Sequence, residues 1–363
     1  MASAGGHDSG VVCPVSAVVV NHNGGDLLGA CVQSLLSDGV DEVIVVDNVS
    51  TDGSIEDLRL TVRSHAGAGD AGPNPNSSSS SGPGTGAADV RVVETGLNLG
   101  YGAAANRGIA ACGVQDGLVV VCNPDIRLHQ GAIVSLASAI SSDPTVAIAG
   151  PLILAPDGSR YPSARRFPSL LDAGMHATLG LLFPHNRFTK RYRMEGGTGD
   201  AGVASGAAGV GSNGSPAYDI GGQGCATEVD WVSGAFFMAR KGFLEEIGGF
   251  DEDYFMYGED VDLCWRAHKA GYGVIYVSGA VVTHERAHST SRHPYRMLMA
   301  HHRSTLRFAS KRYVGPGSIL LVPVSAVLGV RLVMALLNQA ISSLRHGVSS
   351  GPSTNDSALP PTR

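Results

Sequence analysis

Short β-branched runs alternate with segments of helical spacing along the first part of the chain. Residues 15–20 form the first run, and residues 27–36 then repeat their apolar side chains at helical intervals. A second run covers residues 43–46, and Thr51-Asp52-Gly53-Ser54 is typical of a turn that leads into a helix. This β-α-β-α order predicts an α/β fold with a mainly parallel, doubly wound sheet and helices on both faces.

The same alternation continues further along the chain. Additional strands are predicted at residues 90–93, 118–122, 146–149, 229–239, 274–277 and 280–283. Additional helices are predicted at residues 98–111, 133–140, 259–271 and 301–312. Residues 319–337 are strongly apolar and are interrupted by Arg331, so we expect a further helix near the C-terminus.

Two low-complexity stretches, at residues 65–88 and 195–226, interrupt this pattern and are rich in Gly and Ser. Such a composition buries too little apolar surface to offset the entropy of ordering, so both are predicted to be disordered insertions. The predicted organisation is a disordered N-terminus (1–14), one α/β domain (15–300), a helical C-terminal segment (301–347) and a disordered tail (348–363).

The net charge of −6 is unevenly distributed along the chain. Residues 1–159 hold five of the 26 Lys and Arg but 16 of the 32 Asp and Glu, which makes the front acidic and the remainder basic. For any single residue, solvated surface charge is the simplest explanation. As a regional trend, the basic half is suited to an anionic lipid or a diphosphate.

Cysteine usage indicates a reducing compartment. No Cys-x-x-Cys pair occurs among Cys13, Cys31, Cys112, Cys122, Cys225 and Cys264, and several of them fall in apolar runs. We therefore predict reduced, mostly buried thiols in a cytosolic protein. No Lys or Arg precedes Arg59, so residues 11–20 lack the basic flank of a secretory signal and are predicted to form a strand.

Acidic residues follow two of the predicted strands. Asp47 comes after residues 43–46, and Asp125 comes soon after residues 118–122. Because ligands of open α/β sheets bind beyond the carboxyl ends of the strands, both side chains are predicted to line one crevice. Either residue alone could be an ordinary turn former. The chain lacks G-x-G-x-x-G after its first strand and lacks G-x-x-x-x-G-K-[ST], which argues against nicotinamide, flavin and P-loop enzymes.

Asn123-Pro124-Asp125 is a variant of the D-x-D element that holds a divalent cation on a nucleotide diphosphate. A hard cation on phosphate oxygens prefers carboxylate ligands and keeps an incomplete protein shell. A plain proline turn is the alternative for this tripeptide alone. His284 directly follows a predicted strand and is a candidate metal ligand through its neutral imidazole, although an isolated His is usually structural.

Three carboxylates, Glu259, Asp260 and Asp262, begin a predicted helix after an aromatic segment at residues 255–257. Capping and the helix dipole explain one or two acidic residues in such a place. The Gly/aromatic loop in front of them could expose Glu259 and Asp260 to a pocket. Asp262 lies four residues before Arg266 and is predicted to form a structural ion pair with it.

The order of these motifs resembles that of the family 2 inverting glycosyltransferases. The resemblance is carried by Asp47-Asn48, Ser50-Thr51-Asp52-Gly53-Ser54, Asn98-Leu99-Gly100-Tyr101-Gly102 with Asn106, Asn123-Pro124-Asp125, Trp231-Val232-Ser233-Gly234, Gly248-Gly249-Phe250-Asp251, Glu259-Asp260-Val261-Asp262 and His284. It covers residues 15–312 apart from the two insertions. The resemblance implies a GT-A fold and transfer of a sugar from a nucleotide-diphosphate donor.

Roles for individual residues follow from this resemblance. Asp47 is expected to contact the nucleotide base or its ribose. Asp125 and His284 are expected to hold Mg²⁺ or Mn²⁺ on the diphosphate. Asp260 is expected to act as the general base for the acceptor hydroxyl, with support from Glu259. The remaining nucleotide-binding candidates are Asn21, Asn48, Asn98, Gly100, Asn106 and Asn123, and the substrate-binding candidates are Arg165, Trp231, Gly234 and Tyr257.

A narrower set of motifs is similar to one subgroup, the actinobacterial rhamnosyltransferases of cell-wall arabinogalactan linker synthesis. These motifs are Gly150-Pro151-Leu152, Asp157-Gly158-Ser159, Tyr161-Pro162-Ser163-Ala164-Arg165, Gly174-Met175-His176-Ala177, Ala287-His288-Ser289-Thr290 and His301-His302. The subgroup implies transfer of L-rhamnose from dTDP-L-rhamnose to N-acetylglucosaminyl-diphosphoryl-polyprenol. The alternatives are another sugar, such as galactofuranose or mannose, and a non-catalytic nucleotide-sugar-binding protein.

Val49 departs from the pattern of the family, which usually has Gly in Asp-Asn-Gly-Ser. If this position requires a positive φ, a β-branched Val strains the turn.

The implied acceptor keeps its polyprenyl tail in the bilayer, so we expect a peripheral protein on the cytoplasmic face of the cell membrane, without a nucleic-acid partner. Residues 319–337 approach the length of about 20 apolar residues that spans a bilayer, but Arg331 favours a helix lying in the interface. Arg303, Arg307 and Lys311 share one helical face that is suited to anionic lipid or the acceptor diphosphate. A helix packed on the domain is the alternative.

Overall fold

The structure, a computed structural model, describes residues 13–67, 89–167, 217–219, 225–285, 294–326, 328–330 and 332–334. Residues 1–12 of the predicted disordered N-terminus, the predicted disordered tail, most of both predicted insertions and Arg331 lie outside the described residues. The chain divides into two compact units, Met1–Arg292 and His293–Arg363.

The first unit alternates strands and helices as the sequence predicts. Its strands are β1 (Val15–Asn21), β2 (Glu42–Asp47), β3 (Asp89–Glu94), β4 (Leu118–Cys122), β5 (Ile126–Leu128), β6 (Val146–Leu154), β7 (Arg160–Tyr161), β8 (Ala164–Arg165), β9 (Ala217–Asp219), β10 (Cys225–Glu228), β11 (Trp231–Val232), β12 (Phe236–Arg240) and β13 (Gly273–His284). Its helices are α1 (Leu27–Ser37), α2 (Ser54–Gly67), α3 (Tyr101–Ala111), α4 (Ala132–Ser141), α5 (Lys241–Glu246) and α6 (Glu259–Lys269).

The main sheet has the strand order β3-β2-β1-β4-β12-β6-β13-β10-β9, with β5 and β7 paired to β13 and β6. Strands β3, β2, β1 and β4 are mutually parallel, and β13 is parallel to β6. Strand β12 is antiparallel to both of its neighbours, β4 and β6. Every residue of β1 and β4 is buried, as expected for strands covered on both faces.

Two apolar clusters lie on opposite faces of this sheet. Along β1, Ala17 and Val19 join the cluster that contains α1 and α4, whereas Val18 and Val20 join the cluster that contains α3 and α6. This alternation is the period of two of a β-strand. The predicted fold class, a mainly parallel α/β sheet with helices on both faces, is therefore confirmed.

One predicted strand is divided in the structure. Residues 229–239 contain β11 and β12, separated by a turn at residues 233–235. The turn is held by contacts distant in sequence, since the backbone N–H of Asn123 donates to the Ala235 carbonyl oxygen over 3.0 Å. Conversely, the two predicted strands at residues 274–277 and 280–283 are one strand, β13, with an irregular register.

The predicted insertions are also narrower than expected. Helix α2 continues to Gly67, inside the stretch predicted to be disordered from residue 65. Strands β9 and β10 begin inside the second stretch, where they pair with each other antiparallel at the edge of the sheet. Pairing at the sheet edge supplies backbone hydrogen bonds to this stretch, and its Gly-rich composition gives no indication of them.

Two smaller predictions are confirmed. All six cysteines are free, and four of them, Cys31, Cys112, Cys122 and Cys264, are buried. Arg266 Nε lies 2.7 Å from Asp262 Oδ2 in the predicted structural pair.

Two helices lie in the described part of the second unit. Helix α7 covers Pro294–Arg312 and so begins before the predicted start at residue 301, with Pro in the first turn where its missing N–H costs nothing. A second helix, Gly315–Met334, is long and apolar enough to cross a membrane by length and composition. Its first turns, Gly315–Leu320, are a 3₁₀-helix.

Candidate active site

The carboxyl ends of β1, β2 and β4 meet at one edge of the sheet. Asn21 and Asp47 are register partners at the ends of β1 and β2, and Asn123-Pro124-Asp125 follows the last residue of β4. The predicted crevice for Asp47 and Asp125 is therefore formed by neighbouring strand ends.

Asp125 and His284 lie side by side, because β5 pairs antiparallel with the end of β13 and sets Ile126 opposite His284. His284 Nε2 is 3.1 Å from Asp125 Oδ1 and 3.4 Å from Asn123 Nδ2. Both Asp125 and His284 are buried. Asp125 Oδ1 and His284 Nδ1 nevertheless have no hydrogen-bond partner among the described residues, so the short Asp125–His284 approach is not an aligned hydrogen bond.

This pair fits the ligands of a divalent cation. Two ligands at right angles on an octahedral ion with bonds of about 2.1 Å lie about 3 Å apart, which is the separation of Asp125 Oδ1 and His284 Nε2. Within the described residues, no group of three or more His, Cys, Asp or Glu could hold a metal ion.

Two adjacent carboxylates begin helix α6. Tyr257 (φ 68°) and Gly258 (φ 84°) turn the chain into the helix through left-handed conformations. Asp260 Oδ2 accepts a hydrogen bond from the backbone N–H of Gly234 at 2.9 Å, and Asp260 Oδ1 accepts one from Val261 at 2.8 Å. Asp260 is thus fixed at both oxygens by main-chain donors.

Glu259 differs from its neighbour in having an unpaired oxygen. It is 7% exposed, and its Oε2 has no hydrogen-bond partner in the described part of the chain. Burial, and then the charge of Asp260, raise the pKa of Glu259 to about 8. Burial also raises the pKa of Asp260, against the opposing effect of its two main-chain donors. The pair therefore retains a proton more readily than exposed carboxyls do.

Tyr101 is a site residue that the sequence did not single out. Its hydroxyl donates to the Gly234 carbonyl oxygen over 2.5 Å. Burial, followed by the charges of Cys122, Glu259, Asp260 and Asp125, raises the pKa of Tyr101 well above its ordinary value. The acids of both predicted centres therefore lie close enough to this phenol to raise its pKa. The only signal in the sequence was its place inside the Asn98-to-Gly102 motif.

Three of the predicted nucleotide-binding amides are engaged with the protein itself. Asn21 Nδ2 donates to the hydroxyls of Ser50 and Ser54 at 2.9 Å and 3.0 Å. Asn48 Nδ2 donates to Asn98 Oδ1 at 3.1 Å, and Asn48 Oδ1 accepts from the Leu99 N–H at 2.9 Å. These side chains tie the loops after β1, β2 and β3 to each other, and thereby shape the crevice.

Asn106 is engaged in the same way. Its Nδ2 donates to the Phe250 carbonyl oxygen at 2.9 Å, and its Oδ1 accepts from the Phe250 N–H at 2.8 Å. The side chain therefore anchors the loop that precedes α6. Gly100, another candidate, is required by packing, because an added Cβ would lie 2.1 Å from the Phe255 carbonyl oxygen.

Two of the predicted substrate-binding residues lie on a second, two-stranded sheet. Arg165 and Trp231 are register partners in β8 and β11, and the Arg165 guanidinium lies 5.2 Å from the centre of the Trp231 ring. The positive charge of Arg165 lowers the pKa of Asp260, against the larger effect of burial. This arrangement joins the predicted substrate residues to the acid pair.

Val49 adopts the conformation that the sequence predicted would be strained. Its φ is 64°, and its side chain is 39% exposed beside the crevice. The neighbouring hydrogen bonds impose this turn, since Asp47 Oδ1 accepts from the Ser50 N–H at 3.1 Å and the Asn48 N–H donates to the Asn21 carbonyl oxygen at 2.8 Å.

Comparisons with known proteins show which chains this one resembles. A family model described as "Glycosyltransferase like family 2" matches residues 223–304, which include the acid pair and His284. The chain is 42% identical over 236 residues to the N-acetylglucosaminyl-diphospho-decaprenol L-rhamnosyltransferase of Mycobacterium tuberculosis, a match that covers 62% of this chain and 69% of that protein.

Two further matches have lower sequence identity. Rhamnosyltransferase WbbL of Escherichia coli (strain K12) is 34% identical over 88 residues, which covers 24% of this chain and 33% of that protein. Among solved structures, the mannosyltransferase PcManGT from Pyrobaculum calidifontis, in complex with GDP-Man and Mn²⁺, is 16% identical with a TM-score of 0.49, covering 94% of this chain and 76% of that chain.

Proposed function

Because this chain belongs to glycosyltransferase family 2, we propose that it transfers L-rhamnose from dTDP-L-rhamnose to N-acetylglucosaminyl-diphosphoryl-polyprenol, with inversion at the sugar. Family membership follows from the 42% identity that spans 69% of the mycobacterial rhamnosyltransferase. The sugar and the acceptor are proposed from the name of that relative. The observation that supports the chemistry is that Asp125, whose Oδ1 lies 3.1 Å from His284 Nε2, and Asp260 are both close enough to Tyr101 to raise the pKa of its buried hydroxyl.

In this proposal Asp125 and His284 hold Mg²⁺ or Mn²⁺ against the donor diphosphate. The ion supplies Lewis-acid neutralisation of the charge that grows on the leaving nucleotide. Asp125 contributes the orphaned Oδ1, and His284 contributes Nε2, which faces that oxygen at 3.1 Å. A hard cation held by these two residues would keep positions for phosphate oxygens of the donor.

Asp260 then acts as the general base. It takes the proton of the acceptor hydroxyl while that oxygen bonds to the anomeric carbon and the bond from this carbon to the diphosphate breaks. A raised pKa makes Asp260 a stronger base than an exposed Asp. Glu259, whose pKa is about 8, stays neutral at neutral pH. It therefore places no second negative charge beside the carboxylate of Asp260. One displacement with one base inverts the anomeric configuration.

On the nucleotide side, Asp47 is proposed to contact the thymine base or its ribose. It stands at the end of β2, where ligands of such sheets bind. The amides Asn21, Asn48 and Asn98 are proposed to act indirectly. They hold the loops whose backbone lines the nucleotide. Their proposed contribution is the shape of the crevice.

A lipid-linked acceptor requires the enzyme to work beside a membrane, and we propose the cytoplasmic face. Support comes from the helix Gly315–Met334, whose apolar side chains Ile319, Val322 and Val330 are exposed. On α7, Arg303, Arg307 and Lys311 follow one another at intervals of four residues, as in a stripe suited to anionic lipid.

A donor panel tests the proposed reaction. Full-length protein is given dTDP-L-rhamnose, UDP-sugars and GDP-sugars in turn, with a polyprenyl-diphosphate-GlcNAc analogue as acceptor. The proposal requires that dTDP-L-rhamnose is used with the highest kcat/KM. Preference for a UDP- or GDP-sugar would assign another transfer, and donor binding without any turnover would favour a non-catalytic nucleotide-sugar-binding protein.

The membrane proposal has its own test. Truncation after Tyr313 should reduce vesicle binding, and should reduce turnover of a long-chain acceptor more than turnover of a short, soluble analogue. Equal losses on both acceptors would instead mean that the removed helix supports the fold.

A further inference from the structure

Resting on the proposed function, we infer that the Tyr101 hydroxyl is a positioning group for the base: it fixes Gly234, and Gly234 in turn fixes the carboxylate of Asp260. Tyr101 does not touch the reacting atoms in this scheme. It acts through the turn at residues 233–235.

The two hydrogen bonds of Gly234 form a continuous connection. The Tyr101 hydroxyl donates to the Gly234 carbonyl oxygen at 2.5 Å, and the Gly234 N–H donates to Asp260 Oδ2 at 2.9 Å. Gly234 also lies tightly against the base, since an added Cβ there would be 3.2 Å from Asp260 Cβ. A shift of this glycine is therefore transmitted directly to the carboxylate.

The same turn is connected to the proposed metal ligands. The Asn123 N–H donates to the Ala235 carbonyl oxygen at 3.0 Å, and Asn123 Nδ2 lies 3.4 Å from His284 Nε2. The turn thus spans the distance between the base and the residues proposed to hold the diphosphate. That distance decides whether the acceptor oxygen meets the anomeric carbon in line with the leaving group.

Tyr101 is itself well anchored. Its backbone N–H donates to the Phe255 carbonyl oxygen at 3.0 Å, and its ring meets Phe250 edge to face with 6.2 Å between ring centres. Burial raises its pKa, so its hydroxyl stays protonated and remains a donor over the working range of pH. A rigid, permanently protonated donor is suited to positioning and unsuited to proton transfer.

Tyr101→Phe removes the hydroxyl and keeps the ring packing. We expect kcat to fall about 10- to 100-fold, because small misplacements of a catalytic group have costs of this order, while KM for the nucleotide-sugar donor stays within about twofold. In an Asp260→Asn background the same change should cause no further loss, because the group that it positions is already absent.

Tyr254→Phe is the matched control. Tyr254 is fully buried, and its hydroxyl lies 3.4 Å from Oδ1 of Asp262. Asp262 lies in the same helix as Asp260 but is the acid of the structural ion pair with Arg266. Removing this hydroxyl should leave kcat unchanged. If Tyr101→Phe proves unstable, Gly234→Ala provides a second route, since its new Cβ presses on Asp260 while the Tyr101 hydroxyl is retained.

Hydrogen exchange gives a readout that does not depend on the donor. The Gly234 amide should exchange at least about 10-fold faster in Tyr101→Phe than in the wild type or in Tyr254→Phe, because its bond to Asp260 is loosened. Unchanged exchange at Gly234, or a wild-type kcat in Tyr101→Phe, would overturn the inference. Wild-type protein that turns over no nucleotide sugar would overturn the proposed function instead, while the exchange result would still decide the positioning role.

Discussion

Two groups of polar side chains among the predicted site residues differ in how far the fold satisfies their hydrogen-bonding atoms. The amides Asn21, Asn48 and Asn106 use both their nitrogen and their oxygen on neighbouring loops. The acidic group, in contrast, retains orphaned atoms at Asp125 and Glu259, within the described residues.

The difference separates residues that shape the site from residues that react in it. Satisfied amides stabilise a loop conformation, whereas a buried carboxyl without a partner costs stability and acquires a perturbed pKa. Folds retain such groups chiefly where a ligand or a reaction completes them. Asn48 and Asn106 belong to the motifs that resemble the family, as do Asp125 and Glu259, so the motifs alone could not separate the two groups.

Among the variants that test this comparison, the largest effect is expected from a change at Asp260. Asp260→Asn should lower kcat by about 10²–10⁴-fold and leave donor affinity nearly intact, because the proton acceptor is lost while its backbone contacts remain possible. Steady-state kinetics with donor titration measures both. Asp262→Asn, on the same helix, is the control: it should lower the thermal midpoint and preserve kcat. An undiminished kcat in Asp260→Asn would remove this residue from the role of base.

Loss of the proposed metal should have the next largest effect. Activity should disappear in excess chelator and return with Mg²⁺ or Mn²⁺. Asp125→Ala should weaken metal-dependent donor binding about 10- to 100-fold, and His284→Ala should act in the same direction more mildly, because water and diphosphate replace one neutral ligand. Calorimetric titration of nucleotide with and without metal measures this. Full activity in chelator would contradict the role of the Asp125–His284 pair.

Glu259 should make the free energy of unfolding depend on pH. Its pKa of about 8 in the fold exceeds its ordinary value of 4.5, so the folded protein binds more protons than the unfolded chain between these values. The resulting stabilisation is complete below the lower pKa and is lost as pH rises through the higher one. Glu259→Gln should flatten this decline in urea unfolding from about pH 5 to about pH 9. Parallel declines in both proteins would place its origin elsewhere.

Asn106→Ala tests the other side of the comparison. Loss of its bonds to Phe250 leaves backbone groups without partners, so the free energy of unfolding should fall by about 1–3 kcal/mol. Because the side chain shapes a loop and takes no part in the chemistry, kcat of the folded enzyme should change far less than in Asp260→Asn. A loss of kcat comparable to that of Asp260→Asn, without a change in stability, would mean that Asn106 takes part in the reaction.

The smallest expected effect is a gain in stability. Val49→Gly removes a β-branched residue from a φ of 64° and should raise the free energy of unfolding by about 1 kcal/mol, since a left-handed conformation costs L-residues about that much. Urea unfolding at neutral pH measures the change. A destabilised variant would mean that the exposed Val49 side chain contributes more through packing than its backbone loses.

The strands and the site edge were predictable because they depend on local patterns. Residues 43–46 are apolar throughout and residues 15–20 are apolar except for Ser16, and the polar residues that follow both runs occupy strand ends whatever the later packing. The strain at Val49 was predictable for the same reason, from the residue type required by one turn.

The division of the strand predicted at residues 229–239 was not predictable. The turn that interrupts it depends on Tyr101 and Asn123, which are more than a hundred residues away along the chain. The satisfied state of Asn21 and Asn48 likewise depends on which loops the fold brings together. Pattern and motif therefore located the polar residues of the site, whereas tertiary contacts decided what each one does.

The anomeric configuration of the product tests the central claim most directly. The wild-type enzyme is given dTDP-L-rhamnose and a polyprenyl-diphosphate-GlcNAc analogue, and the C1–H1 coupling of the transferred sugar is measured by NMR. A single displacement promoted by Asp260 predicts a product with the anomeric configuration opposite to that of the donor. Retention of the configuration, or no rhamnose transfer under conditions in which another nucleotide sugar is used, would contradict the account.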